Sequence, residues 1–570
     1  MSEEEAVMEI APQALSRQLM ALPAGKRLEA ILARPDAAAV VAALPVQDFF
    51  FSVKELGPDD AWPLLALGEV EQLVHLFDLE WWEKDVIQPA KALQWLERLA
   101  MASEEKLLAW LYQADFELLT TLFKKCLRVV VAPEDIDLLE AGEQLPKHTL
   151  DDQYFWETPY LQFEDFLARL LRLLFEVHPG FYRELMNHLI WVPEAGVEED
   201  AYRFTQARLE DQAIPAYEDA LRIYSSIGPG ELETLKDLEI MASSEAPQPV
   251  FALALLSGDD LLSTALAGIH EPRLVATLCL ELASLANKVI RADRLALDEP
   301  QVLRQAVQKV AAHVNLGLDL MSRGNPQKAG KILERIFLEH LFRLAHTQLL
   351  KVKGRFRQLV ERGWMAAWPA GFNCLEPDWT QAAELLLQRT PRLIRPAAEA
   401  STVSAPREDF FRNRQDLAQA DRFIEIIAAL GPLFDALAER PEELTARLWQ
   451  EGQVRALEDL TLGTMILTAA AQSRISGKWH VEPLPVEQWA EGFGRLQPAD
   501  MAPTIRSWVE KLVPDADERE LVGAYLNPLL NEYSQEMLPF DSDHPPEPRL
   551  VKFFMFQRQY PEAFPTSRVP

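Results

Sequence analysis

Apolar residues recur at helical spacing along nearly the whole chain, and proline or clustered acids cut that pattern into short segments. Leu93, Leu96 and Leu99 fall on one helical face, as do Leu107, Leu108 and Leu111 after the joint Ser103-Glu104-Glu105. Comparable joints stand at Arg34-Pro35-Asp36, Leu44-Pro45 and Gly57-Pro58-Asp59-Asp60, where one helix ends and a proline or acid suits the start of the next. Helices of about two to four turns result, too short to bury an apolar face alone, so each must stack on its neighbours. Strand-like alternation is almost absent. The expected fold is all-α: short stacked helical hairpins, solenoid-like in the N-terminal part, followed by irregular helical domains.

With 570 residues the chain exceeds what one hydrophobic core usually serves, and roughly three to four domains' worth of sequence is the prior. The joints divide it as follows. Residues 1–12 read as a disordered acidic tail and 13–131 as the helical-hairpin array. Residues 132–158 read as a linker that holds at most a short strand or an extended crossing. A helical domain is expected over 159–248, and a central one over 249–394 with helices near 272–291, 299–322 and 326–362. Residues 395–409 are small and polar, as a flexible linker is. A C-terminal helical domain over 410–539 precedes an extended tail, 540–570, whose run Phe553-Phe554-Met555-Phe556 should dock back onto the body.

The central helices carry one further signal. Leu316-Gly317, Leu320, Gly324, Ala329 and Leu333 resemble a single tetratricopeptide repeat, in which small residues let two antiparallel helices touch. Leu341 stands where that family has its closing proline, so a generic helical hairpin is the expectation.

A formal charge of −32, from 88 acids against 56 bases, repels nucleic acid and anionic membrane unless bases are segregated. The weakly charged stretch Leu460 to Ser473 falls short of the ~20 apolar residues that cross a bilayer, and reads as a buried helix. Cys126, Cys279 and Cys374 lie far apart with no C-x-x-C pair, as in a reducing compartment. The acidic start Met1-Ser-Glu-Glu-Glu lacks the positive charge of an export signal. A cytoplasmic location with no membrane partner is expected.

Motifs for known chemistry are missing. The 23 glycines are scattered singly, without a phosphate-cradling G-x-G-x-x-G. Ala24-Gly25-Lys26, Ala329-Gly330-Lys331 and Ser476-Gly477-Lys478 lack the remainder of a P-loop. His340 and His346 stand about 120° apart on a helix, a poor metal pair, whereas Glu339 and His346 share a face. Neighbouring acids such as Asp59-Asp60, Asp151-Asp152 and Asp259-Asp260 sit at joints, where capping accounts for them. No catalytic residue, cofactor or metal ligand is assigned.

One segment opposes the overall charge. Residues 328–362 hold nine bases against three acids, a local charge of +6, concentrated in Lys351-Val352-Lys353-Gly354-Arg355-Phe356-Arg357. Lys351, Lys353, Arg355 and Arg357 are the candidate anion- or partner-binding residues. The competing explanation is that this helix lies against the protein's own acidic helices, with Arg335, Glu339 and Arg343 forming a ladder at intervals of four. Nucleic-acid binding would further need exposed aromatic residues beside the bases, and Phe356 alone is too few.

Two family resemblances follow from particular residues. Leu44-Pro45-Val46-Gln47-Asp48 and Leu56-Gly57-Pro58-Asp59-Asp60 resemble the punctuation of the cytosolic superhelical domain of bacterial magnesium transporters; no transport role is carried over. The order of Arg27-Leu28-Glu29-Ala30-Ile31-Leu32 with Pro35, Trp81-Trp82, Gly317-Leu318 with Gly324, and Gly363-Trp364 resembles a family of large helical bacterial proteins, a domain of unknown function, which implies no activity. The resulting expectation is a cytosolic helical scaffold with a protein partner. The alternatives are an enzyme or small-ligand binder with an interdomain site near 328–379, where Trp368, Phe372 and Asn373 gather, and a nucleic-acid-associated factor using 328–362.

Overall fold

The computed structural model describes residues 12–132, 145–232, 248–256, 260–295, 300–395, 407–452, 454, 459–540 and 544–558. The chain divides into two compact units, one ending at Ala345 and the other beginning at His346. Helices dominate both, and the few strands are short, so the fold is all-α.

In the first unit the apolar stripes of the sequence become core. Helix Pro89–Ala102 buries Leu93, Leu96 and Leu99, and helix Glu104–Gln113 buries Leu107 and Leu111. Ser103 opens the latter helix by accepting a hydrogen bond from Lys106 N at 3.2 Å. Helix Val46–Leu56 begins after Pro45 and stops at Gly57, whose φ of +87° favours glycine. Helix Val70–Glu80 starts with Gln72 Oε1 accepting from Glu69 N at 2.9 Å. The same side chain donates to Val41 O and Leu44 O, both at 2.8 Å, which ties this helix to the end of an earlier one. Phe77 stacks on Trp81 at 4.5 Å, with Trp110 edge-on at 5.2 Å, filling the junction.

The stretch expected as a linker contributes to a three-stranded antiparallel sheet. Tyr154–Glu157 lies between Arg128–Val131 and His148–Thr149, in the register Val129 opposite Trp156. The β-branched run Val129-Val130-Val131 and the alternation that buries Tyr154 and Trp156 are the local reasons. Residues 133–144 lie outside the described residues.

Helices Pro272–Asp293 and Pro300–Ser322 fall where the sequence places them, but the segment near 326–362 is broken. It forms Pro326–Leu333 and Leu338–Arg362, and Glu281 Oε2 accepts from Leu338 N at 2.7 Å at the restart. Arg335 lies in the intervening turn, and Glu339 pairs with Lys288. Gly317 does let two helices touch. A Cβ there would stand 2.1 Å from Leu341 O.

In the second unit helix Leu462–Ser476 is buried along most of its length, as read for 460–473. Helices Pro498–Leu512 and Gly431–Leu437 pack against it, Leu529 of Ala516–Met537 reaches Gly463, and Arg414–Ala429 packs on Ala516–Met537. Strands Arg392–Arg395 and Arg407–Phe410 pair antiparallel; the residues 396–406 between them, most of the expected flexible linker, lie outside the described residues. The aromatic tail docks: Phe553, Phe554 and Phe556 are buried, with Trp489 and Tyr533 against them. Leu484 N donates to Met555 O at 2.7 Å, and Gln557 N to Leu484 O at 2.9 Å. Among the described residues no helix is long and apolar enough to cross a membrane.

Candidate functional site

The first unit holds a cavity of about 1200 Å³. Several helices reach it through residues spaced three or four apart, the spacing that places side chains on one face. Gln47, Phe50 and Phe51 come from helix Val46–Leu56, and His75 and Leu79 from Val70–Glu80. Tyr202 and Gln206 come from helix Glu194–Asp211. Asn287, Ile290, Arg291 and Arg294 come from Pro272–Asp293 and its cap. A two-stranded hairpin, Trp82–Glu83 paired with Val86–Ile87, supplies the rim.

The floor is polar and satisfied. Asn287 Nδ2 donates to Gln47 Oε1 at 3.1 Å, and Gln47 Nε2 donates to Gln212 O at 2.7 Å. Glu80 is held by Lys54 Nζ at 2.8 Å and Lys91 Nζ at 3.3 Å, and Trp95 Nε1 donates to it at 3.2 Å. Next to Gln47 but turned into the core, Asp48 accepts from Val250 N at 3.0 Å and Phe251 N at 2.9 Å. Burial drives the Asp48 carboxyl up to about 7 against the pull of those N–H groups and of Arg27.

The wall is different, because its polar groups are not all satisfied. His75 is buried edge-on to Phe50, its Nε2 has no hydrogen-bond partner among the described residues, and burial pushes its pKa down to about 3, so the ring is neutral. Trp82 lies 5.4 Å from the Tyr202 ring, and its Nε1 has no partner either. Arg291 is half-buried; burial lowers its pKa, and the nearby Tyr202 phenol opposes that shift. Among the described residues no carboxylate pairs with it.

The rim stores backbone strain. Lys84 has φ +59° and Arg294 φ +52°, left-handed conformations that cost a non-glycine residue of order 1 kcal/mol or more. The Arg294 guanidinium sits 4.4 Å from the Tyr217 ring centre, a cation–π arrangement. Glu83, Asp85 and Glu218 are exposed around it.

The sequence-assigned bases lie elsewhere, and three of the four have internal partners. Lys353 Nζ donates to Gln388 O at 2.7 Å, Arg355 pairs with Asp421, and Arg357 Nε pairs with Glu361 at 2.8 Å within its helix. Lys351 is exposed. Lys353 and Arg357 line a small cavity of about 290 Å³ with Val360, Glu361 and Leu387. Phe356 is buried against Phe423, so it offers no stacking face beside the bases. Trp368 is buried as well and packs edge-on to Phe434.

Searching for motifs missed the large cavity, because its signal is polar residues inside apolar stripes. Asn287 and Arg291 interrupt the run of Leu282, Leu285, Ala286 and Val289, and His75 interrupts Leu73, Leu76 and Phe77. Among the described residues no three His, Cys, Asp or Glu side chains converge as a metal site would require.

No curated protein and no solved structure matches the chain. The model of one family, described as a family of unknown function (DUF6178), matches residues 4–557, nearly the whole length, and the chain belongs to that family.

Proposed function

We propose that this protein binds a small organic molecule in the cavity of its first unit. The observation that carries the reading is that Trp82 and His75, whose Nε1 and Nε2 are buried without a partner among the described residues, line a cavity of about 1200 Å³. A buried polar group without a partner costs about 1–3 kcal/mol, a cost a ligand with oxygen or nitrogen acceptors and donors relieves. The mixture of aromatic faces and a few placed polar groups is what such sites present. Stacked helices by themselves suit a partner-binding scaffold equally well; the cavity is what favours a ligand.

The test is native mass spectrometry of the chain purified without refolding, beside Ala216→Trp, which fills the cavity from one wall without removing a polar group. A small molecule released on denaturation of the wild-type chain and absent from the variant supports the reading. Wild-type protein that carries nothing, or nothing the variant lacks, contradicts it.

A further inference from the structure

Resting on that reading, we infer that the bound molecule is an aromatic acid carrying a single negative charge, and that Arg291 receives its anionic group. Most other cations of this region are already engaged, and Lys84 on the hairpin is exposed to water. Arg27 is buried and held by Glu55 at 2.8 Å, and Lys54 and Lys91 both reach Glu80. Arg294 covers Tyr217. Arg291 lines the cavity, its guanidinium is partly removed from water, and among the described residues no carboxylate pairs with it.

A charge taken out of water without a counter-charge is costly, and native proteins seldom leave one so. A guanidinium offers a planar fork of N–H donors that fits a carboxylate or sulfonate through two parallel hydrogen bonds. The Tyr202 phenol beside it is neutral, its pKa raised further by burial, and can donate to the same anion.

The rest of the ligand follows from what surrounds Arg291. Trp82, Tyr202, Tyr217 and Phe50 give aromatic faces suited to a planar ring system. The exposed Glu83, Asp85 and Glu218 at the rim oppose a multiply charged ligand such as a polyphosphate.

The experiment titrates the full chain with two fluorescent probes that differ chiefly in a charge: 1-anilinonaphthalene-8-sulfonate and the neutral N-phenyl-1-naphthylamine. Arg291→Gln should weaken the sulfonate probe at least about tenfold and leave the neutral one within about twofold, with Arg291→Lys intermediate. Because no partner is lost, Arg291→Gln should melt no lower than the wild type, a result that a structural ion pair would not give. If Arg291→Gln leaves both probes unchanged while Ala216→Trp abolishes both, the cavity reading stands and the anion inference is overturned. If neither probe binds saturably, or Ala216→Trp changes neither, the cavity reading falls and takes this inference with it.

Discussion

Asn287 Nδ2 donates to Gln47 Oε1 at 3.1 Å, joining helix Pro272–Asp293 to helix Val46–Leu56 across the floor of the cavity. Both side chains are buried, so removing one leaves the other with a lost partner. Asn287→Leu should destabilise the chain by about 1–3 kcal/mol, and the double variant Gln47→Leu with Asn287→Leu should cost less than the sum of the single changes. Urea denaturation of the four proteins reads the coupling; strict additivity would show that the pair does not act as one.

Gly317 and Gly354 lie in helices and should respond to alanine in opposite ways. At Gly317 the new methyl meets Leu341 O, so Gly317→Ala should cost about 1–3 kcal/mol. At Gly354 nothing lies within 4 Å, so Gly354→Ala should stabilise by about 0.5–1 kcal/mol through helix propensity. Thermal melts of the two variants settle the pair, and a melting point raised by Gly317→Ala would contradict the close helix contact.

Stability should fall with rising pH through the titration of Asp48. Its carboxyl titrates at about 7 in the folded chain, above the ordinary carboxylate range, because of burial. Between about 4 and 7 the folded state therefore holds a proton that the unfolded state has released, and raising the pH removes stability across that window. Asp48→Asn removes the titrating group. The stability of this variant relative to wild type should rise between pH 4 and 7 and level off above; denaturant midpoints at pH 5 and 8 measure it. A gap independent of pH would contradict the assignment.

Arg355 is half-exposed and pairs with Asp421, which is also partly exposed. Arg355→Ala should cost less than about 1 kcal/mol and lose most of that effect in 1 M salt. A larger, salt-independent loss in a melt would mean that the basic segment is held by more than surface pairing.

The three thiols should resist modification in the native chain. Burial pushes Cys126 and Cys374 up to about 12 and Cys279 to about 11, so little thiolate forms near neutrality. A disulfide-exchange reagent should count no thiols before denaturation and three in urea.

How much was legible in the sequence depends on which interaction fixes each feature. The helices were, because Leu93, Leu96 and Leu99 or Leu107 and Leu111 specify their buried face by local spacing alone. The docking of Phe553 to Phe556 was also readable, since four such residues in a row rarely stay in water. The break at Glu334 to Phe337 was not. It depends on Glu281, more than fifty residues earlier, accepting from Leu338 N. The sheet through Tyr154–Glu157 likewise requires a partner strand distant in sequence.

The site was less legible than the fold. A concentration of charge points to Lys351, Lys353, Arg355 and Arg357 in the sequence, while the acids that answer such a face, as Asp421 answers Arg355, are visible only in the fold. The cavity is built from residues between Gln47 and Leu303 on helices and a hairpin that come together only by packing. Its polar members look like isolated substitutions in apolar stripes until the fold assembles them.

The most direct test of the ligand-binding account is a crystal structure of the full chain, purified without refolding, with attention to the density between Trp82, Tyr202 and Arg291. The account predicts an ordered planar molecule whose acidic group lies within hydrogen-bond reach of the Arg291 guanidinium. A cavity filled by ordered water alone, or closed by its own side chains, would contradict it.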